Sequence, residues 1–271
     1  MPRSKTDPLR TTVVVIAKHR ALLERLGLAT IEQVKAFRGD QVKDHRGRRD
    51  IVRVVAASAE QPAPVLFLKR TWRPYKKDGL ASLLRRGAVW SVARQEWENA
   101  RALEAAGLHG PGLVAYGEEV GPLWERFSFL ITEAATGQVL DQFLRECRDR
   151  ARRRRTFDAL AREIRRMHDA GLATPDLFTR HFFVDAGGEE PEFQLIDVAR
   201  LDRRPSLPGR LRARDLAALN VTAPLRFVSA KERVRFLRIY AGRRDKPLAR
   251  RIAGRVAHLL RRRKFREFAT A

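Results

Sequence analysis

Short apolar runs dominate the chain between about residues 34 and 132, and most of them are typical of β-strands. Residues 34–38 alternate between apolar and polar side chains, as a half-buried strand does. The later runs are separated by turn residues, among them Pro62 and Pro64. The predicted strands are residues 34–38, 51–56, 65–69, 113–116 and 127–132.

Two helices are predicted in this first half of the chain. A long helix is predicted over residues 89–106, because its apolar residues share one face and Gly107 follows it. Those apolar residues are Ala93, Trp97, Ala100 and Leu103. A short helix is predicted near residues 18–26, with Gly27 at its carboxyl end.

After Glu133 the pattern becomes mostly helical. An apolar stripe of helical period runs from Phe157 to Met167 and leads directly into a loop that contains Asp176. The order of strands, helix, strands and a helical half predicts an α+β protein with two lobes and a crossing near residues 133–137. We therefore expect a basic amino-terminal extension, a mainly β small lobe and a helical large lobe. Their predicted bounds are residues 1–30, 31–136 and 137–271.

Composition adds a strong positive charge to this picture. The 271 residues carry a formal net charge of +24, and the sequence pI is about 11.4. Hydrophobic residues make up 44% of the chain, which predicts a folded protein with a substantial core. Solvated helix faces account for part of the arginine excess, but not for its clustering. The charge favours polyanionic partners such as nucleotides, nucleic acids or an anionic membrane surface.

Several classes of protein are disfavoured by the sequence. Cys147 is the single cysteine, so no disulfide can form within the chain. The six histidines lack the spacing of zinc ligands. No apolar run approaches the roughly 20 residues of a membrane span, and the first residues lack a secretory hydrophobic region. These features predict a cytoplasmic protein.

Two aspartates, Asp176 and Asp197, are the strongest chemical signal. Asp176 lies on a loop after a predicted helix, and Asp197 follows a strand-like apolar run. Kinase-like enzymes place a carboxylate that orients a hydroxyl beside a carboxylate that binds magnesium in this way. Each aspartate alone also fits a structural role, as a turn cap after Pro175 or as a strand terminator. Both together, at this spacing, favour phosphoryl transfer.

Lys69 and a glutamate on the following helix could complete such a site. Lys69 ends an apolar strand, where a lysine can bind nucleotide phosphates. Taken alone, it fits a strand-end lysine in solvent better. Glu96 is the candidate partner that would hold it, and Glu98 competes, because only one of the two can share the helix face that meets the strand.

A series of segments in order resembles the bacterial lipopolysaccharide kinases, which phosphorylate inner-core heptose or Kdo sugars and have a protein-kinase-like fold. The resemblance spans about residues 30–240, and the ordered series is more specific than any one segment. The matching segments are residues 96–99 with Leu103, 107–108, 128–133, 167–171, 176–178 with 181–183, 195–197 with Arg200, and 215–219.

The resemblance implies an ATP-dependent phosphotransferase that uses Mg²⁺. It implies Asp176 as the catalytic carboxylate, Asp197 as a magnesium ligand, Lys69 on the ATP phosphates with Glu96 as its ion-pair partner, and Glu133 among the nucleotide-binding residues. His181 stands where protein kinases have a metal-binding Asn. Because Mg²⁺ prefers oxygen, we expect His181 to position the site or to contact phosphate. Asp215 resembles the buried aspartate that braces the catalytic loop.

The sequence also departs from the family. Thr174 and Pro175 stand where the family usually has a His or similar residue and a basic or small residue, and there is no Gly-x-Gly-x-x-Gly run. A catalytically inactive kinase-fold binding protein is therefore one alternative, and a kinase of another small molecule or of a protein is a second. A nucleic-acid-binding protein is a third, which charge favours but no motif supports.

Two basic clusters remain outside the catalytic segments. The first comprises Arg148, Arg150 and residues 152–155, and the second comprises residues 261–264. The last predicted helix also has an apolar face, so it could lie on an anionic membrane or dock on the large lobe with solvated arginines. The expected partners are ATP, an anionic glycolipid acceptor (the lipopolysaccharide core) and an anionic membrane surface. The expected location is cytoplasmic, at the inner face of the inner membrane if the clusters bind lipid.

Overall fold

The computed structural model describes residues 9–55, 65–75, 79, 82–84, 86–223, 225–262 and 265. The chain forms two compact units. Unit 1 comprises Met1–Ala100 and Pro111–Ala134, and unit 2 comprises Arg101–Gly110 and Ala135–Ala271. Among the described residues, no helix is both long and apolar enough to cross a membrane.

Unit 1 contains a six-stranded sheet in which all neighbouring strands are antiparallel. Its strands are β1 (Arg10–Val15), β2 (Asp40–Asp44), β3 (Arg49–Val55), β4 (Val65–Thr71), β5 (Leu113–Val120) and β6 (Glu125–Glu133), in the order β1-β5-β6-β4-β3-β2. The four strands predicted from residue 51 onwards are confirmed, whereas β1 and β2 were not predicted. β1 lies in the segment that we expected to be a basic extension.

The prediction of a strand over residues 34–38 was wrong. Residues Ile31–Ala36 form a helix, α2, which follows the helix α1 (Arg20–Arg25). The Thr30 side chain accepts the Gln33 N–H, and the Gln33 side chain accepts the Thr30 N–H, so both ends of a capping box are present. Ile31 and Val34, three residues apart, are buried together in the core of unit 1. The five-residue alternation was too short to outweigh this cap and this helical pair.

The long helix of the first half, α3 (Val92–Ala105), lies within the predicted span. Ala93, Trp97, Ala100 and Leu103 are buried, as their spacing predicted. The Trp97 and Tyr116 rings lie 5.0 Å apart between centroids, so α3 packs on β5 of the sheet. The early helix near residues 18–26 is also confirmed as α1, and Gly27 follows it with a φ of 65°.

Unit 2 is mainly helical. Its helices are α4 (Leu140–Glu146), α5 (Arg150–Asp169), α6 (Gly209–Thr222), α7 (Ala230–Ala241) and α8 (Lys246–Leu260). Short strands form two small sheets: β7 (Gln138–Val139), β9 (Phe182–Asp185) and β10 (Glu192–Leu195) in one, and β8 (Leu172–Ala173) with β11 (Asp202–Arg203) in the other. The stripe from Phe157 to Met167 is buried on α5, as predicted. Antiparallel sheet and helices together confirm the predicted α+β class.

The apolar face of the last helix, α8, packs inside unit 2. It lines a cavity of about 420 Å³ together with side chains from α4, α5, α6 and α7. Ile252 and Leu259 are buried, whereas Arg250, Arg251 and Arg255 are exposed. Of the two alternatives for this helix, the structure therefore shows the docked one. Arg263 and Lys264 of the second basic cluster lie outside the described residues.

Candidate active site

Lys69 and Glu96 form an ion pair within unit 1. Lys69 lies on β4, where its neighbours across the sheet are Ile51 and Leu130. Its Nζ atom is 2.6 Å from Oε1 of Glu96, and the Glu96 side chain is only 6% exposed. Glu98 lies two residues further along α3, about 200° around the helix axis. The ion pair thus involves Glu96, as the resemblance implied, and a contact of Lys69 with nucleotide stays a prediction.

Glu133, at the end of β6, contacts the amino-terminal segment. Its Oε1 atom lies 3.3 Å from His19 Nε2 and 3.7 Å from Lys18 Nζ. Burial lowers the pKa of His19, although the Glu133 charge acts in the opposite direction. Glu133 also donates its backbone N–H to the Gly112 carbonyl at 2.8 Å. These contacts hold the end of β6, and a role of Glu133 in nucleotide binding remains untested.

In unit 2, Asp176 lies on a tightly hydrogen-bonded loop after β8. Its N–H donates to Thr174 Oγ1 at 3.2 Å, and its carbonyl accepts the Phe178 N–H at 2.7 Å. Pro175, between them, has no N–H that would need a partner. A 3₁₀ turn over Thr179–His181 follows the loop. The loop therefore fixes the backbone on both sides of Asp176.

Arg200 is the partner of Asp176 that the sequence analysis missed. Its Nη1 atom lies 3.2 Å from Oδ1 and 3.1 Å from Oδ2 of the Asp176 carboxylate. The Asp176 side chain is 14% exposed, and the Arg200 side chain is 63% exposed. Arg200 was recognised only as part of a matching segment. Its position three residues after Asp197 does not indicate which carboxylate it contacts.

Asp197 follows β10 by two residues in an unusual backbone conformation. Its φ is 58°, in the left-handed region that residues with a side chain rarely adopt. Such backbone strain is concentrated at functional sites, because the surrounding structure must hold it in place. Just before Asp197, the Ile196 N–H donates to the His181 carbonyl at 2.8 Å, which ties the end of the strand to the loop of Asp176.

His181 lies between the two aspartates. Its Nδ1 atom is 2.9 Å from the Asp176 carbonyl, and its Nε2 atom is 3.7 Å from Oδ2 of Asp197. Burial lowers the pKa of His181, against the opposing effects of the Asp176 carbonyl and the Asp197 charge. The neutral ring is therefore favoured, with the proton on Nδ1, where the carbonyl accepts it. Nε2 then carries the lone pair that accepts the Arg180 Nε–H at 3.3 Å.

The exposed carboxylate of Asp197 fits a magnesium site in which the nucleotide phosphates and water would supply the other ligands. Among the described residues, no group of three or more His, Cys, Asp or Glu side chains could hold a metal ion alone. Mg²⁺ commonly binds through one or two carboxylates, substrate phosphates and water. The Asp197 side chain is 54% exposed, so its carboxylate is accessible for such binding. A closed zinc-type site would need four protein ligands.

Asp215 braces the loop of Asp176 from inside unit 2. Its fully buried carboxylate accepts the Thr174 N–H at 2.7 Å and the Arg214 Nε–H at 2.7 Å. The expectation that Asp215 is buried and supports this loop is confirmed. His168 Nε2 lies 3.3 Å from the same carboxylate, and His168 Nδ1 lies 2.7 Å from the Tyr240 hydroxyl. The sequence did not indicate this extension of the brace to α7.

Comparison with known proteins gives the family. The chain matches the Lipopolysaccharide kinase (Kdo/WaaP) family over residues 32–240. It is 34% identical to the lipopolysaccharide core heptose(I) kinase WaaP of Pseudomonas aeruginosa over 179 residues, which cover 63% of this chain and 67% of that protein. It is 27% identical to the WaaP of Escherichia coli over 227 residues, or 79% of this chain and 82% of the relative.

A solved structure agrees with the sequence comparisons. The chain superimposes on a structure described as WaaP in complex with acyl carrier protein, with a TM-score of 0.64 and 27% sequence identity. The superposition covers 95% of this chain and 99% of the other. It confirms the predicted kinase-like fold. The matched region contains Lys69, Glu96, Asp176 and Asp197. The chain belongs to the lipopolysaccharide kinase (Kdo/WaaP) family.

Proposed function

We propose that this protein is an ATP-dependent kinase that phosphorylates a sugar hydroxyl of the lipopolysaccharide inner core, on heptose or Kdo. The observation that carries the proposal is the family match, which spans residues 32–240 and includes the predicted catalytic residues. The P. aeruginosa and E. coli relatives are both described as heptose(I) kinases. The first heptose of the core is therefore the first acceptor to test.

The proposed division of labour follows from the chemistry of phosphoryl transfer, which depends mainly on positioning and charge. Asp176 aligns the acceptor hydroxyl and accepts its proton. Lys69, held by Glu96, binds the nucleotide phosphates. Asp197 holds Mg²⁺, which neutralises charge on the phosphates when it is bound. His181 positions the backbone of Asp176 through its Nδ1 contact with that carbonyl.

Turnover of ATP on isolated core glycolipid tests this proposal. Dephosphorylated core lipopolysaccharide should accept phosphate, whereas simple sugars and aminoglycosides should not. An Asp176→Asn preparation, purified in the same way, measures background from contaminating kinases. Magnesium-dependent ATP binding without turnover on any acceptor would instead identify a kinase-fold binding protein. Faster turnover on another small molecule or on a protein would show that the acceptor is not the lipopolysaccharide core.

We further propose that the first basic cluster associates with anionic lipid at the cytoplasmic face of the inner membrane. Arg148, Arg150, Arg152, Arg154 and Arg155 are exposed at the start of α5. Each arginine near an anionic bilayer contributes about 1 kcal/mol of attraction. Arg153 is not counted, because it binds Glu232 and the Leu144 carbonyl. Since the apolar face of α8 is packed inside unit 2, the attraction is electrostatic and should be abolished by salt.

Vesicle sedimentation tests the membrane proposal. Arg150→Ala combined with Arg154→Ala should weaken binding to phosphatidylglycerol vesicles by roughly 30-fold, because two charges that contribute about 1 kcal/mol each are lost. The control is Arg243→Ala with Arg244→Ala, which removes the same charge from the exposed α7–α8 connection. Equal losses in both pairs would indicate attraction by net charge alone. Binding that does not depend on acidic lipid would refute the proposal.

An acyl carrier protein is a further candidate partner. The support is the solved relative described as WaaP in complex with acyl carrier protein. Size-exclusion chromatography of this chain with apo, holo and acylated carrier protein tests it, with co-elution as the expected result. Separate elution of all three forms would remove the carrier protein from the list of partners.

A further inference from the structure

Two carboxylates from the sheet bind the start of α3. The first N–H groups of a helix have no partner within the helix. The Ser91 N–H donates to Glu118 Oε2 at 3.3 Å, and the Val92 N–H donates to Glu125 Oε2 at 3.0 Å. Ser91 also caps the helix itself, since its Oγ accepts the Arg94 N–H at 3.0 Å. The helix thus begins on acceptors that belong to β5 and β6.

These carboxylates are buried and anchored. Glu118 lies opposite Ser128 in the β5–β6 pairing, and Ser128 Oγ donates to Glu125 Oε1 at 2.5 Å. The Glu118 Oε1 atom lies 3.3 Å from Arg10 Nη2 and 3.5 Å from Arg94 Nη1. Glu125 is 5% exposed, and Glu118 is fully buried. Both carboxylates belong to the sheet, and Arg10 of β1 and Ser128 of β6 bind them there.

The position of Glu96 depends on this attachment. Glu96 lies one helical turn after Val92, about 6 Å along the axis. Its carboxylate must reach Lys69, on β4 of the same sheet, and it does so at 2.6 Å. A hydrogen bond between charged groups is lost within a shift of about 1 Å. The attachment of α3 at its first turn therefore sets the distance between Glu96 and Lys69.

We propose that Glu118 and Glu125 are positioning residues, which hold α3 on the β5–β6 hairpin so that Glu96 meets Lys69. The consequence for nucleotide binding rests on the proposed function. The attachment of α3 to the hairpin does not rest on the proposed function, because it consists of contacts within unit 1.

The raised pKa of Glu125 supports a positioning role in addition to packing. Burial raises the pKa of Glu125 to about 7, while its bonds with Ser128 and Val92 and the charge of Arg49 lower it and the charge of Glu118 raises it. Burying an ionisable group carries a free-energy cost that an apolar residue of similar size would avoid. An apolar residue could not accept the Val92 N–H at the start of the helix, whereas the Glu125 carboxyl does.

Hydrogen exchange tests the attachment without reference to catalysis. In Glu125→Ala and Glu118→Ala, amides of residues 91–96 should exchange about tenfold faster, because a buried hydrogen bond to a carboxyl oxygen is lost. Glu125→Gln keeps an acceptor oxygen and the shape of the side chain, so its amides should show a smaller increase in exchange rate. It replaces the alanine variants in this test if they do not fold. Glu119→Gln is the control on the same strand, since Glu119 pairs with Lys35 at 2.7 Å. Unchanged exchange in both alanine variants would overturn the proposal.

A double-mutant cycle tests the consequence for Lys69. Glu125→Ala should weaken ATP binding about tenfold in the wild-type background. It should have little effect in the Glu96→Ala background, because the ion pair between Glu96 and Lys69 is already lost there. An equal loss in both backgrounds would show a general structural effect and refute the positioning role. If wild-type protein does not bind ATP, the proposed function fails, and hydrogen exchange still decides the attachment.

Discussion

One nitrogen of Arg200, Nη1, lies 3.1 Å from Oδ2 and 3.2 Å from Oδ1 of Asp176. The carboxylate that we assign to the acceptor hydroxyl is therefore already bound to a cation from the segment after Asp197. An incoming hydroxyl must share the carboxylate with Arg200 or displace it. Because a carboxylate has about four acceptor sites, Asp176 can accept the hydroxyl while Arg200 holds its orientation.

Replacement of Arg200 should separate stability from catalysis. Arg200→Ala should change the free energy of unfolding by less than about 0.5 kcal/mol, since exposed ion pairs contribute little. Turnover should fall by roughly tenfold, because Asp176 loses a group that fixes its orientation. Chemical denaturation and steady-state kinetics measure the two effects. Faster turnover in Arg200→Ala would show that the pair blocks the acceptor.

Asp176→Asn should leave the fold and ATP binding intact while turnover falls by roughly 10²–10⁴, the usual contribution of a positioned acid–base group. Calorimetric ATP binding and turnover on the core glycolipid measure this difference. Asp185→Asn is a matched control, because Asp185 is an exposed aspartate of the same unit that contacts the Gly187 N–H. Full activity of Asp176→Asn on the true acceptor would remove the catalytic assignment.

Asp197→Asn should weaken magnesium-dependent ATP binding as well as the rate, because Asp197 would hold the cation that neutralises charge on the phosphates. Asparagine is the suitable replacement, since it tolerates the positive φ of 58° better than alanine does. Lys69→Ala should show the same combined loss. Titration of ATP with and without Mg²⁺ measures both variants. Retained ATP affinity in both would contradict these assignments.

Glu125 should make stability depend on pH. Its pKa is about 7 in the folded protein against an ordinary value of 4.5, so the folded protein binds more protons than the unfolded chain between these values. Stability should therefore fall as the pH rises from about 4.5 to about 7, by up to about 3 kcal/mol from this group. Urea unfolding across this range should show the decline in wild type and a flatter profile in Glu125→Gln. Parallel profiles would contradict the raised pKa.

Loss of the Asp215 brace should destabilise unit 2 and reduce turnover together. Asp215→Ala leaves the buried Thr174 N–H without an acceptor and leaves the Arg214 guanidinium with Asp202 as its carboxylate partner, so about 3 kcal/mol should be lost. Tyr240→Phe removes only the hydroxyl at 2.7 Å from His168 and should cost about 1 kcal/mol. Thermal unfolding and turnover measure both. An Asp215→Ala protein of wild-type stability would show that the buried bonds contribute little.

The sequence determined the features that depend on residues close together in the chain. The stripe of α3 and the stripe of α5 each repeat over three or more turns, and such a repeat fixes a helix and its buried face. Asp176 and Asp197 were identifiable as candidates, because their spacing reflects a loop, a hairpin and a strand end that follow one another in the chain. The ordered segments around them were sufficient to identify the family.

Tertiary structure decided what depends on contacts between distant segments. The pairing of Lys69 with Glu96, the contact of Arg200 with Asp176, and the use of Glu118 and Glu125 to bind the start of α3 all join residues 24 or more positions apart. Periodicity gives the face of an element but not the partner of a charged side chain, whose direction is set by the groups packed against it. For the same reason the apolar face of α8 suggested a membrane helix equally well, until the helices of unit 2 were seen to cover it.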